Sequence, residues 1–289
     1  MKLKEIQQTF HEVLAEYYGK AEINAFFFLL TEAYYNIKRI DLAMHPEFIT
    51  ENTDIIFEAL EQLKHQKPIQ YILGKTEFFG LPFKVSRDVL IPRPETEELV
   101  SWILDEVNKN KPIRILDVGT GSGCIAVTLA KHLPNAAVFA LDVSKDALKI
   151  AHENAKINSV DVTFVEADIL RDSAIKFIPQ ILKFDIIVSN PPYVRHLEKD
   201  LMNPNVLRNE PHLALFVEDN DPLLFYNAIT SFAIKHLKHN GQLFFEINEY
   251  LGKETVNSMK QRGFETIALK KDIFGKDRMV KAIYTDERY

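Results

Sequence analysis

The sequence predicts an α/β protein: a mainly parallel seven-stranded sheet with an antiparallel strand at its edge, preceded by a small all-α N-terminal domain. Three observations carry this reading. From residue 113 onward, short β-branched runs alternate with helical patterns, the signature of βαβ units. The last two strand patterns leave no room for a helix between them, so they must pair antiparallel. The first 66 or so residues show only helical periodicity.

In that N-terminal part, Ile6, Phe10, Val13, Leu14 and Tyr17 recur at helical spacing, as do Ile23, Phe26, Phe27 and Leu30. A third stripe, Ile56, Leu60 and Leu63, follows Thr53 as its candidate N-cap. The aromatic run Phe26-Phe27-Phe28 with Tyr34-Tyr35 suits the core of a small helical bundle. Lys67-Pro68 punctuates its end. Strand-like segments at 76–79 and 81–85, with Gly80 between them, suggest a hairpin. The division that follows is 1–74 for the helical domain, 75–92 for a hairpin linker and 93–289 for the α/β domain.

Ile91-Pro92-Arg93-Pro94-Glu95-Thr96-Glu97 opens the second domain. Pro94 at a helix start, with Glu95, Glu97 and Glu98 in the first turn, suits the positive end of the helix dipole. Leu99, Trp102, Ile103 and Val107 give that helix its apolar stripe. Arg93 suits either a solvated face or the neutralisation of a ligand carboxylate. Strands then read at 113–118, 137–143, 162–167, 184–189 and 242–247, with two more near 265–270 and 280–284. Helices fall around 123–132, 144–158, 222–237 and 251–262.

With 46% hydrophobic and 26% charged residues, the composition is that of a globular protein. A net charge of −6 argues against a broad nucleic-acid-binding surface. One cysteine, Cys124, cannot form an internal disulfide, which favours a reducing compartment. The start carries no apolar signal core, and no apolar run is long enough to span a bilayer, so the cytoplasm is expected. No cluster of Cys and His has metal-ligand spacing, and no metal is expected.

Two stretches carry chemistry. Leu116-Asp117-Val118-Gly119-Thr120-Gly121-Ser122-Gly123-Cys124 lies between the first strand of the α/β domain and its first helix. Alternate glycines let the backbone turn sharply and let a ligand approach. The helix behind, beginning at Ser122 or Gly123, offers free N–H groups. Asp142 ends the second strand, where a carboxylate can hold both hydroxyls of an unphosphorylated ribose. Asp168 ends the third, placed for an adenine amino group. A dinucleotide loop would have a glycine where Cys124 stands, and Asp117 disfavours a phosphate. S-adenosylmethionine, cationic and phosphate-free, suits the loop better.

The second stretch is Phe184-Asp185-Ile186-Ile187-Val188-Ser189-Asn190-Pro191-Pro192-Tyr193. A buried strand stops at two prolines, which fix φ and cannot continue a ladder. The corner presents the Asn190 amide, backbone carbonyls and the Tyr193 ring at the carboxyl edge of the sheet. Two acceptors and a flat face suit a planar –NH2 group. Residues 194–220 form a long polar connection after it, ending in Asn209-Glu210-Pro211-His212, which suits a lid, a substrate-contact loop or a solvated insertion.

Asp117 to Gly123, Asp142 and Asn190-Pro191-Pro192-Tyr193 resemble the class I S-adenosylmethionine-dependent amino-methyltransferases, whose domain is Rossmann-like. With Ile91 to Glu97, Gln70-Tyr71-Ile72-Leu73-Gly74 and Asn209-Glu210-Pro211 added, the chain resembles the peptide chain release factor N5-glutamine methyltransferases, the HemK/PrmC family. The resemblance implies methylation of the glutamine in the Gly-Gly-Gln motif of bacterial class-1 release factors, with the helical domain recognising that partner. It implies cofactor contacts from Asp117, Gly119, Thr120, Gly121, Ser122, Gly123, Asp142, Asp168 and Asn190. Asn190, Pro191, Pro192 and Tyr193 would bind substrate, with Asn190, Pro191 and Tyr193 catalytic. Direct nucleic-acid or membrane contact is not expected, and a monomer is. The rival readings are a nucleic-acid exocyclic-amine methyltransferase of the adenine N6 type, a non-catalytic binding module and a nicotinamide oxidoreductase.

Overall fold

The computed structural model describes residues 1–171 and 182–285. They divide into two compact units, Met1–Gly74 with Asn203–Asn209, and Lys75–Met202 with Glu210–Tyr289.

The first unit holds helices α1 (Leu3–Leu14), α2 (Lys20–Tyr35), α3 (Arg39–Met44), α4 (Asp54–Lys64) and α5 (Ile69–Leu73). The stripes Leu3, Ile6, Phe10 and Leu14, Ile23, Phe27 and Leu30, and Ile56, Leu60 and Leu63 meet in one core. Each such side chain contributes roughly 1.5–3 kcal/mol by leaving water. Phe10 and Phe27 meet edge to face at 5.5 Å. Tyr17 lies beyond the end of α1 and is exposed, so the stripe stops at Leu14. Thr53 precedes α4 but has helical backbone angles and makes no side-chain cap bond. The short helix Pro204–Asn209 belongs to this unit, where the Asn209 amide donates to the Gln66 carbonyl at 3.1 Å.

The second unit begins with a hairpin, β1 (Lys75–Phe78) and β2 (Leu81–Lys84). Phe79 (φ 52°) and Gly80 (φ 72°) are both left-handed, as a two-residue type I′ loop requires. Read from the sequence as a linker, the hairpin instead contributes Phe78 and Phe83 to the unit's core beside Leu99 and Ile103 of α6 (Pro94–Glu106). Its two rings are apolar and have nowhere else to leave water.

The main sheet contains β3 (Arg114–Val118), β4 (Ala137–Asp142), β5 (Thr163–Glu166), β6 (Phe184–Ser189), β9 (Leu237–Glu246), β10 (Phe264–Lys271) and β11 (Asp277–Tyr284). Its order is β10-β11-β9-β6-β3-β4-β5. The strands from β5 to β9 run parallel, and β11 is antiparallel to both β9 and β10. The antiparallel strand thus sits one place in from the edge, because the short turn after β10 folds the chain straight back. Side chains alternate between two cores: Ile115, Ile186, Val188 and Phe244 on one face, Leu116, Ile187, Leu243 and Phe245 on the other. Burial on both faces explains why these strands read as continuous apolar runs.

From β3 the chain winds through β4 to β5, then returns to β6 on the other side of β3. Strand order reverses there, and the crevice at the carboxyl ends of β3 and β6 is where such sheets bind ligands. Part of the 194–220 connection is ordered: β7 (Val194–Arg195) pairs in parallel with β8 (Phe216–Val217). Among the described residues no helix is long and apolar enough to cross a membrane.

Candidate active site

The carboxyl ends of β3, β4 and β6 open on a cavity of about 300 Å³. One wall is the glycine loop, running from β3 into α7 (Cys124–His132). Gly119, Gly121 and Gly123 all have positive φ, at 73°, 54° and 81°. A Cβ at Gly119 or Gly121 would meet nothing within 4 Å, so the need there is conformational. At Gly123 a Cβ would also stand 3.1 Å from that of Ala151, on α8 (Lys145–Ile157), so Gly123 lets the two helices pack closely.

The loop's own amides are largely spent within the protein. Gly119 and Thr120 N–H donate to the Leu141 carbonyl at 2.8 and 3.0 Å, and Gly123 N–H to Thr120 at 2.8 Å. Gly121 N–H donates to the Asp142 carboxylate at 2.8 Å. The amides of residues 119–121 and 123 thus hold the turn's own shape, and α7 begins at Cys124 behind an N-cap at Gly123, one residue later than expected. The Asp142 carboxylate, bonded to the loop, would stand in the way of a pyrophosphate.

Asp142, nearly buried, also accepts from Ser144 N–H at 2.9 Å. Burial raises its pKa, opposed by its backbone donors. Each of its oxygens keeps a lone pair for a further donor. Asp168 lines the same cavity, held by Leu170 N–H at 2.9 Å and by the Arg171 guanidinium at 3.1 Å. Asp117 lies beneath the loop, fully buried, where one oxygen accepts from the Thr120 hydroxyl at 2.6 Å. Its other oxygen has no partner among the described residues. Desolvation pushes this carboxyl up to about 7. Cys124, behind the loop, has its thiol pushed up to about 12 by burial and by Asp117.

The opposite wall is the diproline corner after β6. Asn190, Pro191 and Pro192 line the cavity together with Ser122 and the glycines at 119 and 121. Tyr193 is not part of that wall. Its ring packs partly against the core of Phe245 and Tyr226, and its hydroxyl donates to Glu246 at 3.0 Å. The Asn190 amide donates to the Thr96 hydroxyl at 3.2 Å, which in turn donates to Glu246 at 2.6 Å. Glu246, fully buried at the end of β9, has its pKa raised by desolvation, with the two hydroxyls and Arg278 pulling the other way.

Arg93 lines the cavity and pairs with Glu210 at 2.5 Å, while Ile91 N–H donates to the same carboxylate at 3.2 Å. Glu210 is buried, so the pair clips Ile91 to Arg93 onto the stretch that follows Asn209. Thr96, Glu246 and Glu210 were not singled out as site residues from sequence. Glu246 did carry a signal, an acid at the carboxyl end of a predicted strand. Thr96 is one residue in a helix start otherwise read for its charges.

Residues 98–214 match the methyltransferase small domain family, and residues 5–74 the PrmC N-terminal domain family. The chain is 54% identical to the release factor glutamine methyltransferase of Flavobacterium psychrophilum, over 97% of this chain and 99% of that protein. The chain belongs to the release factor glutamine methyltransferase family. The corresponding enzyme of Bacteroides thetaiotaomicron is 41% identical over the same shares of the two chains. A solved methyltransferase of Pyrococcus furiosus, 17% identical, shares the fold with a TM-score of 0.51, over 79% of this chain and 99% of that one.

As a member of this family the protein is an S-adenosylmethionine-dependent methyltransferase. The cavity fits that cofactor. Asp142, which lines the cavity, retains acceptor capacity for hydroxyls, and Asp117 adds negative charge beneath the loop. Open space lies where Cβ atoms at Gly119 and Gly121 would project. Among the described residues no cluster of His, Cys, Asp and Glu could hold a metal ion.

Proposed function

We propose that the protein methylates the side-chain amide nitrogen, N5, of the glutamine in the Gly-Gly-Gln motif of bacterial class-1 release factors, and does so in the cytoplasm as a monomer. The observation that carries this is the opening of the Asn190-Pro191-Pro192 corner into the same cavity as the glycine loop. When bound, S-adenosylmethionine supplies a methyl group made electrophilic by its sulfonium.

An amide nitrogen is a poor nucleophile because its lone pair is shared with the carbonyl. Removing its proton first is costly near neutral pH, so positioning and electrostatics must do most of the work. The Asn190 side-chain oxygen and the Pro191 carbonyl each accept one N–H of the substrate –NH2. They hold the nitrogen in line with the methyl and raise its electron density. Pro191 and Pro192 make the corner stiff, so little reorganisation accompanies the transfer. Tyr193, outside the cavity wall, contributes through its hydroxyl, which is anchored on Glu246. The surplus proton leaves to water during or after transfer. Asp142 holds the ribose, Asp168 faces the adenine, and Asp117 with the backbone of residues 119–123 accommodates the cationic end. The first unit supplies release-factor recognition.

Methyl transfer from labelled donor is measured side by side into intact release factor, its Gln-to-Ala variant, DNA and ribosomal RNA. Label in the intact factor alone is expected. Label in DNA or RNA instead would favour the exocyclic-amine reading, and label in the Gln-to-Ala variant would move the acceptor elsewhere.

A further inference from the structure

We infer that Thr96 and Glu246 are positioning residues that fix which way the Asn190 amide faces, and so which of its atoms meets the substrate. The inference rests on the proposed role of Asn190. An asparagine amide has a donor end and an acceptor end of nearly equal size, and packing alone hardly tells them apart. A substrate –NH2 needs the acceptor end. With the amide turned over, the Asn190 –NH2 would oppose the substrate's own –NH2, donor against donor.

The polarity is settled through a chain of three groups. Glu246 is buried at the end of β9, and an ionised carboxylate can only accept. One of its oxygens accepts a hydrogen bond from the Tyr193 hydroxyl at 3.0 Å, and the other accepts one from the Thr96 hydroxyl at 2.6 Å. A hydroxyl has one proton. Thr96, donating its one O–H to Glu246, has only lone pairs left for Asn190. It therefore selects the –NH2 end of Asn190, which lies 3.2 Å away. The carbonyl end is left for the cavity wall that Asn190 forms. Tyr193 locks the far side of the same carboxylate, and Arg278 faces it with positive charge. Asn190 through Thr96, and Tyr193 directly, are thus tied to one buried carboxylate from both ends of the corner.

The test uses the full-length protein. Thr96→Val keeps the shape and removes the hydroxyl; Thr96→Ser restores the hydroxyl. In Thr96→Val, kcat for release-factor methylation is expected to fall about ten- to hundredfold, the scale of a misplaced reacting group. The Kd for S-adenosylmethionine, by calorimetry, stays within about threefold, since Thr96 acts on Asn190 rather than on the donor. Thr96→Ser returns kcat to within about threefold of the parent. Glu246→Gln can donate to Thr96 and so release the Thr96 proton toward Asn190, and it lowers kcat as well. Parent-level kcat in Thr96→Val overturns the inference; parent-level kcat in Glu246→Gln overturns the part assigned to Glu246.

A second readout needs no methyl acceptor. In protein labelled with 15N-asparagine, the Asn190 –NH2 signal is assigned by its disappearance in Asn190→Asp. One of its protons is protected from solvent exchange in the parent and in Thr96→Ser, and unprotected in Thr96→Val. Equal exchange in all three overturns the inference. If the parent fails to methylate release factor, the proposed substrate fails, and the exchange data still decide the orientation of Asn190.

Discussion

Asn154→Asp is the most informative single perturbation of the scaffold under the site. Asn154, fully buried on α8, accepts from Lys84 N–H at 2.6 Å, and its –NH2 donates to the Lys84 carbonyl at 3.0 Å and the Ser122 carbonyl at 2.8 Å. One amide therefore ties the hairpin and the glycine loop to one helix. Aspartate has the same shape and opens no cavity. It keeps the bond from Lys84 N–H but sets a carboxylate oxygen against two carbonyls. The two lost bonds cost about 1 kcal/mol each, and the buried acceptors left facing one another add about 2, so the loss is about 4 kcal/mol. That is a large share of the roughly 5–15 kcal/mol of a typical domain. The introduced carboxyl has a folded pKa raised above its unfolded value of about 3.9. The penalty is therefore full above the folded pKa and shrinks as pH falls through it, where protonation restores one donor. Urea unfolding at pH 8 and pH 5.5, followed by the fluorescence of Trp102, reads this directly, since the chain has one tryptophan and it lies in the same unit. A loss below about 1 kcal/mol at pH 8, or a loss that grows on acidification, would refute the reasoning.

Three other outcomes are expected. Asn190→Ala lowers kcat by about a hundredfold or more, with donor Kd within about threefold; equal turnover would remove Asn190 from the chemistry. Gly123→Ala forces an L residue to φ 81° with its Cβ 3.1 Å from that of Ala151, which costs at least about 1–2 kcal/mol and weakens donor binding. A parent-like urea midpoint and Kd would contradict that. Asp117, pushed up to about 7 by burial, ionises more readily beside a cationic donor. Donor affinity therefore rises with pH between 6 and 8, and Asp117→Asn flattens the part of the rise due to this group. In the donor-free protein the sign reverses: the group's contribution to stability is greatest below its unfolded pKa and is lost as pH rises through about 7. Calorimetric titrations and melts across that range check both signs.

Much of the fold and the cavity's two walls was legible in the chain. The glycines at 119, 121 and 123 lie where positive φ is required, and the prolines at 191 and 192 end a strand wherever it lies. The strands were legible because burial on both faces leaves unbroken apolar runs. The reading failed where local pattern was silent or two partners competed. Tyr17 continued a helical spacing past the end of its helix, and Thr53 had a capping side chain without capping geometry. Residues 203–209 were read as part of one polar connection, yet they pack with the first unit, because the hydrogen-bonding partner of Asn209 is Gln66.

The sequence by itself determined the βαβ alternation, the glycine loop and the rigid diproline corner, because each is set by backbone restrictions within a few residues. Only the tertiary structure decided what holds those pieces in place. Thr96 meets Glu246 across 150 positions, Arg93 meets Glu210 across 117, and Lys84 meets Asn154 across 70. Such pairs follow from the order in which strands assemble, and residue spacing along the chain carries no record of that order.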